Sequence, residues 1–341
     1  MSYGSDARKL IKSKHALPIC SNKNLAFGKI EIIIRGKKNQ IKTININQLK
    51  SLPPRLKKEV LKKIKHITQK RKKISGLNLD TFKIFGVLNV TPDSFSDGGK
   101  FNKLKQAIKH SKEMINQGAD VIDVGGESTR PGAKLISVEN EKKRVLQVIS
   151  KIKKYKISID TRKSQVMNAA IKKGAKIIND VSAMDFDQQS LSVVAKLKKP
   201  IILNHSQGTP DIMQNNPSYQ NVLLDIYDYF ENKIKQLEKK GFKRNNIILD
   251  PGIGFGKNVN HNLTLISKIS FFHSLGCPLM LGPSRKSFIG KIMDKKDSIS
   301  RLGGTISSVI IGANQGVQFF RVHDIKEVNE ALSINSALHT I

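Results

Sequence analysis

Several cationic side chains in this sequence follow short apolar runs, and together they could bind an anion. Lys286, Arg321 and Arg130 are the three cations, and His323 lies two residues after Arg321. Arginine and lysine are the side chains that most often bind phosphate or carboxylate groups. The sequence therefore indicates a site for an anionic ligand.

Carboxylate and amide side chains follow other apolar runs, at Asp160, Asn179 and Asp250. An aspartate carboxylate can accept two parallel N–H donors from a 2-amino-4-oxo ring, which is the edge that guanine and pterins present. A ligand that carries an anion and a guanine-like ring is consistent with these residue types. They do not by themselves specify a reaction.

The elements that would position these residues alternate from residue 81 to the C-terminus. Short β-branched runs predict buried parallel strands over residues 83–90, 120–124, 156–160, 176–180, 200–205, 246–250, 278–282 and 317–322. Amphipathic segments predict helices over residues 103–117, 137–154, 164–173, 188–198, 219–240, 262–274, 303–314 and 324–339. Five glycines stand where helix C-caps belong: Gly118, Gly174, Gly241, Gly276 and Gly316. Eight such units predict a TIM (β/α)8 barrel over residues 81–341, because a doubly wound open sheet more often has about five to seven strands.

A polar residue ends every one of the eight predicted strands. In a TIM barrel the chemistry lies at the C-terminal ends of the strands, so these residues would face one mouth. A single aspartate there is often a turn residue, but eight polar ends together favour a binding or active site. The strand ends are Asn89, Asp123, Asp160, Asn179-Asp180, Asn204-His205, Asp250, Ser284-Arg285-Lys286 and Arg321-Val322-His323.

Residues 1–80 do not follow the strand–helix alternation. Two strands are predicted over residues 25–35 and 40–46, with a hairpin turn at 36–39, and Pro53-Pro54 opens a basic helix over 55–70. We interpret this region as a basic N-terminal appendage, too small for a second enzyme. Its possible roles are a cap on the barrel bottom, a dimer accessory or a polyanion-binding tail.

Composition limits the class of protein. The chain of 341 residues has a formal charge of +33, and residues 1–80 hold 21 of its 60 Lys and Arg but only 4 of its 27 Asp and Glu. Since Lys far outnumbers Arg and Ile and Asn are also abundant, we interpret the charge as solvated surface and nucleic-acid binding as unlikely. No apolar stretch is long enough to span a bilayer, and the two isolated cysteines, Cys20 and Cys277, indicate neither a disulfide scaffold nor a cysteine zinc site. We expect a cytoplasmic protein.

Five loop motifs resemble those of the dihydropteroate synthases, and the resemblance runs from about residue 83 to the C-terminus. They are N-V-T-P-D-S-F-S-D-G-G from Asn89, G-G-E-S-T-R-P-G from Gly125, D-P-G-I-G-F-G-K from Asp250, S-R-K-S from Ser284 and R-V-H-D from Arg321. The resemblance implies a transferase that condenses (7,8-dihydropterin-6-yl)methyl diphosphate with 4-aminobenzoate to give 7,8-dihydropteroate and diphosphate. It also implies a homodimer and SN1-like loss of diphosphate before the amine attacks.

The resemblance assigns roles to residues of this chain. It implies catalytic roles for Lys286, Asp160 and Arg321, and Mg2+ bound at Asn89. The pterin would be held by Asp160, Asn179, Asp250 and Lys286, and the diphosphate by Arg130, Arg321 and His323. The 4-aminobenzoate pocket would be formed by Ser128, Thr129, Phe255, Lys286 and Ser287.

Two residues depart from the family pattern. Asn204 and Ser206 flank His205 where family members usually have methionine, and the resemblance places the first methionine near the pterin face. We expect altered pterin packing there rather than lost activity. His205 is interpreted as a structural hydrogen-bonding residue, and the remaining histidines, His273 among them, as surface residues.

Two other functions remain as alternatives. A methyltetrahydrofolate:corrinoid methyltransferase is also a pterin-binding barrel, but it has no need of a diphosphate site. A non-catalytic barrel that binds a polyanion through its N-terminal region would have no reason to keep all five motifs.

Overall fold

The first 70 residues form two small antiparallel sheets and two helices. The protein is described here from a computed structural model that covers residues 1–91, 100–128, 133–208, 213, 216–294 and 297–341. The N-terminal elements are β1 (Ser2–Tyr3), α1 (Gly4–Lys12), β2 (Leu17–Ile19), β3 (Asn22–Phe27), β4 (Lys29–Ile34), β5 (Gln40–Asn45) and α2 (Pro54–Thr68). The first sheet has the order β1-β3-β2, and β4 and β5 form a separate hairpin.

The hairpin and the basic helix agree with the sequence prediction, but the predicted strand over 25–35 is two strands. The chain breaks at Gly28, whose carbonyl accepts a hydrogen bond from Ile46 N at 2.9 Å. β3 then pairs with β1 and β2, whereas β4 pairs with β5. The prediction of one strand was therefore wrong, because pairing with distant segments and not the local apolar run sets the break.

Eight parallel strands form the barrel, in the order β11-β10-β9-β8-β7-β6-β13-β12. A parallel bridge between Leu249 and Leu279 joins the two edge strands. The strands are β6 (Lys83–Asn89), β7 (Val121–Gly125), β8 (Ile157–Asp160), β9 (Ile177–Asp180), β10 (Ile201–Asn204), β11 (Ile247–Asp250), β12 (Met280–Leu281) and β13 (Phe319–Val322). The predicted TIM barrel is confirmed.

Helices alternate with these strands and cover the outside of the barrel. They are α3 (Lys100–Asn116), α4 (Val138–Ile152), α5 (Ser164–Lys173), α6 (Ser190–Leu197), α7 (Val222–Lys239), α8 (Val259–Ser267), α9 (Ser287–Met293), α10 (Leu302–Ala313) and α11 (Ile325–Leu338). The main apolar core lies between strands and helices, as expected for a parallel sheet that is buried on both faces. Among the described residues, no helix is both long enough and apolar enough to cross a membrane.

Two helix predictions need correction. The segment 262–274 is not one helix: α8 ends at Ser267, and a 3-10 helix follows over Ile269–Leu275. Asn258 and His261 form a capping box that starts α8 earlier than predicted, and the tighter 3-10 turn buries Phe272 and His273. Between β12 and residue 303, where no helix was predicted, the structure contains α9.

The N-terminal region packs against the end of the barrel where the strands begin. The Arg71 guanidinium donates to the His273 carbonyl oxygen at 3.3 Å, and His66 Nδ1 lies 2.9 Å from the Ser274 carbonyl oxygen. Cys20 Sγ lies 3.7 Å from His273 Nδ1. His273 is therefore fully buried, and the prediction that it lies at the surface was wrong. Burial, together with the nearby Arg71 charge, lowers the His273 pKa to about 3, so the ring is neutral.

Candidate active site

The barrel interior changes from apolar to polar within two residues along five of its strands, namely β7, β9, β10, β11 and β13. One apolar layer consists of Phe85, Val121, Ile177, Ile202, Ile248, Met280 and Phe319. Side chains two residues apart on a strand face the same side. The next inward layer is therefore Val87, Asp123, Asn179, Asn204, Asp250, Gly282 and Arg321. Most members of this second layer line a cavity at the C-terminal mouth of the barrel, where Asp160, Val181, Ile253, Phe255 and Lys286 join them.

Arg321 is the electrostatic centre of the cavity. Its Nε lies 2.6 Å from Asp123 Oδ2, and its Nη2 lies 2.7 Å from Asp160 Oδ2. Asn179 Nδ2 also donates to Asp123 Oδ2, at 3.0 Å. Burial raises the Asp160 pKa to about 7, although Arg321 opposes the shift and Asp123 adds to it. Asp123, which was noted only as a strand end, thus orients two of the predicted site residues.

Asp250 and Lys286 form the second charged group of the cavity. Asp250 Oδ1 accepts a hydrogen bond from Gly252 N at 2.8 Å, and burial raises the Asp250 pKa. Lys286 Nζ lies 3.9 Å from the centre of the Phe255 ring, within cation–π distance. Burial and the Arg321 charge lower the Lys286 pKa to about 8, against the opposing charges of Asp250 and Asp160. A cation next to two carboxylates suits a ligand that has both acceptor and donor edges.

The loop after β11 rests directly on the loop after β10. A Cβ at Gly252 would lie 1.9 Å from the His205 carbonyl oxygen, and Gly252 has a φ of +70°. Lys257 Nζ ties the two loops together, because it lies 3.0 Å from His205 Nδ1 and donates to the Phe255 carbonyl oxygen at 2.9 Å. His205 is buried, and burial together with the Lys257 charge holds its pKa well below the usual value. These contacts agree with a structural role for His205 and fix the position of Phe255.

A buried ionic cluster holds the start and the end of the loop after β7. Glu127 accepts from Arg162 Nε at 2.9 Å, from Lys163 Nζ at 2.8 Å and from Ile136 N at 3.1 Å. Lys163 also pairs with Glu141 at 2.7 Å. The Glu127 carboxylate, at the start of the loop, thus binds the backbone of Ile136 at its end, nine positions further along the chain. Sequence reasoning did not identify this cluster, since only the fold brings its members together.

Several predicted site residues lie near the mouth without lining the cavity. His323 Nδ1 lies 3.0 Å from Ser284 Oγ, and burial with the charges of Arg321 and Arg285 lowers the His323 pKa to about 3. Ser287 is exposed at the start of α9, and Ser128 is half-buried after β7. Thr129 and Arg130 lie outside the described residues.

The side chains at the mouth suit a magnesium ion, which takes most of its ligands from water and substrate phosphates. They suit less well a metal ion whose ligands all come from the protein. In the described part of the chain, no three His, Cys, Asp or Glu side chains come together as a ligand set. A Cβ at Gly125 would lie 3.6 Å from both Asn89 Oδ1 and Asp160 Oδ2, so both oxygens border the space above Gly125. Asp160 Oδ2 already accepts from Arg321 Nη2, which leaves Asn89 Oδ1 as the oxygen that could hold the ion. Mg2+ prefers oxygen ligands and usually takes one or two from the protein, with the rest from water and substrate phosphates.

The fold and the cavity define a class: a TIM barrel with a charged cavity at its C-terminal mouth that suits a polar heterocycle and an anion. The family model described as "Pterin binding enzyme" matches residues 85–323. The chain is 44% identical over 266 residues to the dihydropteroate synthase of Escherichia coli (strain K12). The aligned segment covers 77% of this chain and 94% of the relative. The chain therefore belongs to the dihydropteroate synthase family of pterin-binding enzymes.

Solved structures agree with this assignment. Yersinia pestis dihydropteroate synthase in a complex with a sulfonamide drug superposes with a TM-score of 0.74 at 39% identity, covering 79% of this chain and 99% of that one. The Xanthomonas albilineans enzyme in complex with 7,8-dihydropteroate has a TM-score of 0.71 at 32% identity, covering 78% and 96%. In both cases the part of this chain that is left uncovered is about the length of the N-terminal region.

Proposed function

We propose that this chain joins (7,8-dihydropterin-6-yl)methyl diphosphate to 4-aminobenzoate and releases diphosphate, as a dihydropteroate synthase. The observation that carries the proposal is the set of Asp160, Asn179, Asp250 and Lys286 around one cavity, with Arg321 at its centre. The first three of these residues are buried, and Lys286 is half-buried. The Xanthomonas albilineans relative is described in complex with the product of this reaction.

The pterin ring would bind in the cavity by its polar edges. The Asp250 carboxylate would accept from N3–H and the 2-amino group, since its second oxygen is not taken by Gly252 N. Lys286 would donate to the 4-oxo and ring-nitrogen side. Asn179 would present its amide oxygen, because its Nδ2 is held by Asp123. Asp160 would complete the set.

The diphosphate would leave towards the cations at the mouth. Arg321, His323 and Arg130 would hold it, and Asn89 would hold the Mg2+ that accompanies it. Bound Mg2+ supplies positive charge that stabilises the leaving diphosphate. The carbon–oxygen bond breaks with its electron pair on the diphosphate oxygen, and the ring stabilises the pterin methyl cation that remains. The positive charges of Arg321 and Arg130 would stabilise the charge that develops on the leaving group, and the neutral His323 would donate a hydrogen bond to it.

The amine of 4-aminobenzoate would then attack the methylene carbon, and the proton that the nitrogen loses would pass to solvent water. Phe255 and Lys286 form a wall that would contact its ring, and Ser128, Thr129 and Ser287 would surround its carboxylate. Lys257 fixes the loop that carries Phe255, so the pocket is organised before the amine arrives. A sulfonamide would compete for the same pocket.

We also propose a cytoplasmic homodimer. Both cysteines, Cys20 and Cys277, are free thiols, which suits a reducing compartment. Exposed apolar residues on the adjacent helices α10 and α11, namely Ile311, Ile334 and Leu338, would be covered in the dimer.

The test is product formation from (7,8-dihydropterin-6-yl)methyl diphosphate with Mg2+, with and without 4-aminobenzoate. Asp250→Asn should reduce kcat/KM by about 100-fold, because it removes a buried charged acceptor. Asp228→Asn is the matched control, since the Asp228 side chain is 58% exposed and should leave the rate unchanged. Pterin binding without any product would instead favour a methyltransferase-like barrel.

A further inference from the structure

Asn204 is a buried amide with no hydrogen bond in the described part of the chain. It is the last residue of β10, it is 7% exposed, and it lines the cavity. Its Oδ1 is fully buried and has no partner. In the same layer, Asn179 Nδ2 is bonded to Asp123 Oδ2 and Asp250 Oδ1 accepts from Gly252 N, whereas Asp123 Oδ1 is a second buried atom without a partner but belongs to a residue that does not line the cavity. Because buried polar atoms in folded proteins are nearly always paired, this amide is suited to a ligand.

The position of Asn204 indicates which part of the ligand it meets. Asn204 stands in register with Asp250 on the neighbouring strand β11. If Asp250 binds N3–H and one hydrogen of the 2-amino group, the second amino hydrogen still needs an acceptor. The Asn179 oxygen is another acceptor in the cavity, but Asn179 lies on β9, two strands from Asp250, whereas Asn204 lies on the adjacent strand β10. Asn204 Oδ1 is therefore the unpaired acceptor next to Asp250 in strand order.

We propose that Asn204 accepts a hydrogen bond from the second N–H of the pterin 2-amino group and makes the site selective for an unsubstituted amine. The proposal rests on the proposed function, since it names one more contact of the same substrate. It adds a polar contact where family members usually have a methionine, so it is specific to this chain.

Ser206, the other residue that departs from the family pattern, does not have an unpaired polar group. Ser206 Oγ donates to the Gly208 carbonyl oxygen at 3.1 Å and lies 3.9 Å from Met213 Sδ. Its hydroxyl is therefore satisfied within the loop, and Ser206 does not line the cavity. Of the two residues that replace methionine, only Asn204 lines the cavity and has a side-chain oxygen without a partner.

The test is a thermodynamic cycle between the side chain and the ligand. Isothermal titration calorimetry would measure the Kd of 6-hydroxymethylpterin and of its N2-methyl derivative for the wild type and for Asn204→Leu. Leucine has nearly the shape of asparagine but no acceptor. Asn204→Leu should weaken pterin binding about 5- to 10-fold and reduce the discrimination between the two ligands by a similar factor. Ser206→Ala should change neither Kd by more than about twofold.

A second variant keeps the test valid if the Asn204→Leu variant does not fold. Asn204→Met carries the residue that is usual in the family, and it should show the same loss of discrimination between the two ligands. Unchanged discrimination in folded Leu and Met variants would overturn the proposal and leave Asn204 as a packing residue. A wild type that neither binds 6-hydroxymethylpterin nor forms dihydropteroate would instead overturn the proposed function itself.

Discussion

At the scale of single residues, the cavity holds several buried charges whose positions are set by one another. Arg321 bridges Asp123 and Asp160, and Lys286 lies over Phe255 near Asp250. Burying a charge is costly unless it is paired, so each of these groups is held in place by its partner. Burial raises the pKa of Asp160 and of Asp250 and lowers the pKa of Lys286, and such shifts are typical of functional sites. Charge and position at this site therefore change together when the pH changes.

The change of charge with pH can be measured at Lys286. Its pKa is lowered to about 8 by burial and by Arg321, so above pH 8 the amine loses the proton that it would donate to the pterin. The kcat/KM for the pterin substrate, which reports the free enzyme, should fall tenfold per pH unit above about pH 8. In Lys286→Arg the alkaline limb should move beyond the measured range, because an arginine stays protonated, although the overall rate is lower. A wild-type profile that stays flat up to pH 10 would contradict the assignment of Lys286 as a pterin donor.

At the scale of elements, the site depends on two loops in close contact. Gly252 and Gly256, after β11, approach the carbonyl oxygens of His205 and Gln207, after β10, so closely that a Cβ would lie 1.9 Å and 2.6 Å from them. Asp250 and Phe255 belong to the same loop. A substitution that separates the two loops should therefore disturb both the pterin pocket and the 4-aminobenzoate pocket.

Gly252→Ala tests this contact against a matched glycine. Gly241 has a similar φ, +76° against +70°, but a Cβ there would meet nothing within 4 Å. Gly241→Ala should lower the free energy of unfolding by about 1–2 kcal/mol, the cost of a left-handed alanine. Gly252→Ala should lower it by more than that and should also raise the KM for the pterin substrate, since the added carbon displaces backbone. Equal stability losses in the two variants, measured by urea unfolding, would show that the two loops are free to separate.

The barrel could be predicted from the sequence because its strands are continuous apolar runs that end in polar residues. The helix predicted over 262–274 was harder, since capping by Asn258 and the burial of Phe272 and His273 decide where the helix breaks. In the site, the residues at the strand ends were visible in the sequence. The contact of Lys257 with His205 was not, because it depends on how two separate loops pack.

At the scale of the whole molecule, one end of the barrel carries the site and the other end is packed with apolar side chains. The C-terminal mouth holds the polar cavity, and the N-terminal end is filled by apolar residues from outside the barrel. Ser75 and Gly76 form a tight turn with positive φ values, and it presents Ile74 and Leu77 to the apolar layer that contains Phe85. Ser75 Oγ donates to the carbonyl oxygen of Lys176, just before β9. The N-terminal region therefore contributes to the barrel core, and it does so at the end opposite to the chemistry.

This separation predicts a variant that loses stability without losing its site. Ile74 is fully buried, so Ile74→Ala should lower the free energy of unfolding by about 2–5 kcal/mol, the usual cost of such a cavity. Ile41→Ala is the control, because Ile41 is 66% exposed in the hairpin and should change stability by less than about 0.5 kcal/mol. The KM for both substrates should stay within twofold of the wild type in both variants, since the apolar layer lies between Ile74 and the cavity. Urea unfolding followed by far-UV circular dichroism and by activity should give one coincident transition in each case. An early transition that unfolds the first 80 residues while the barrel stays active would mean that the N-terminal region folds on the barrel without supporting it.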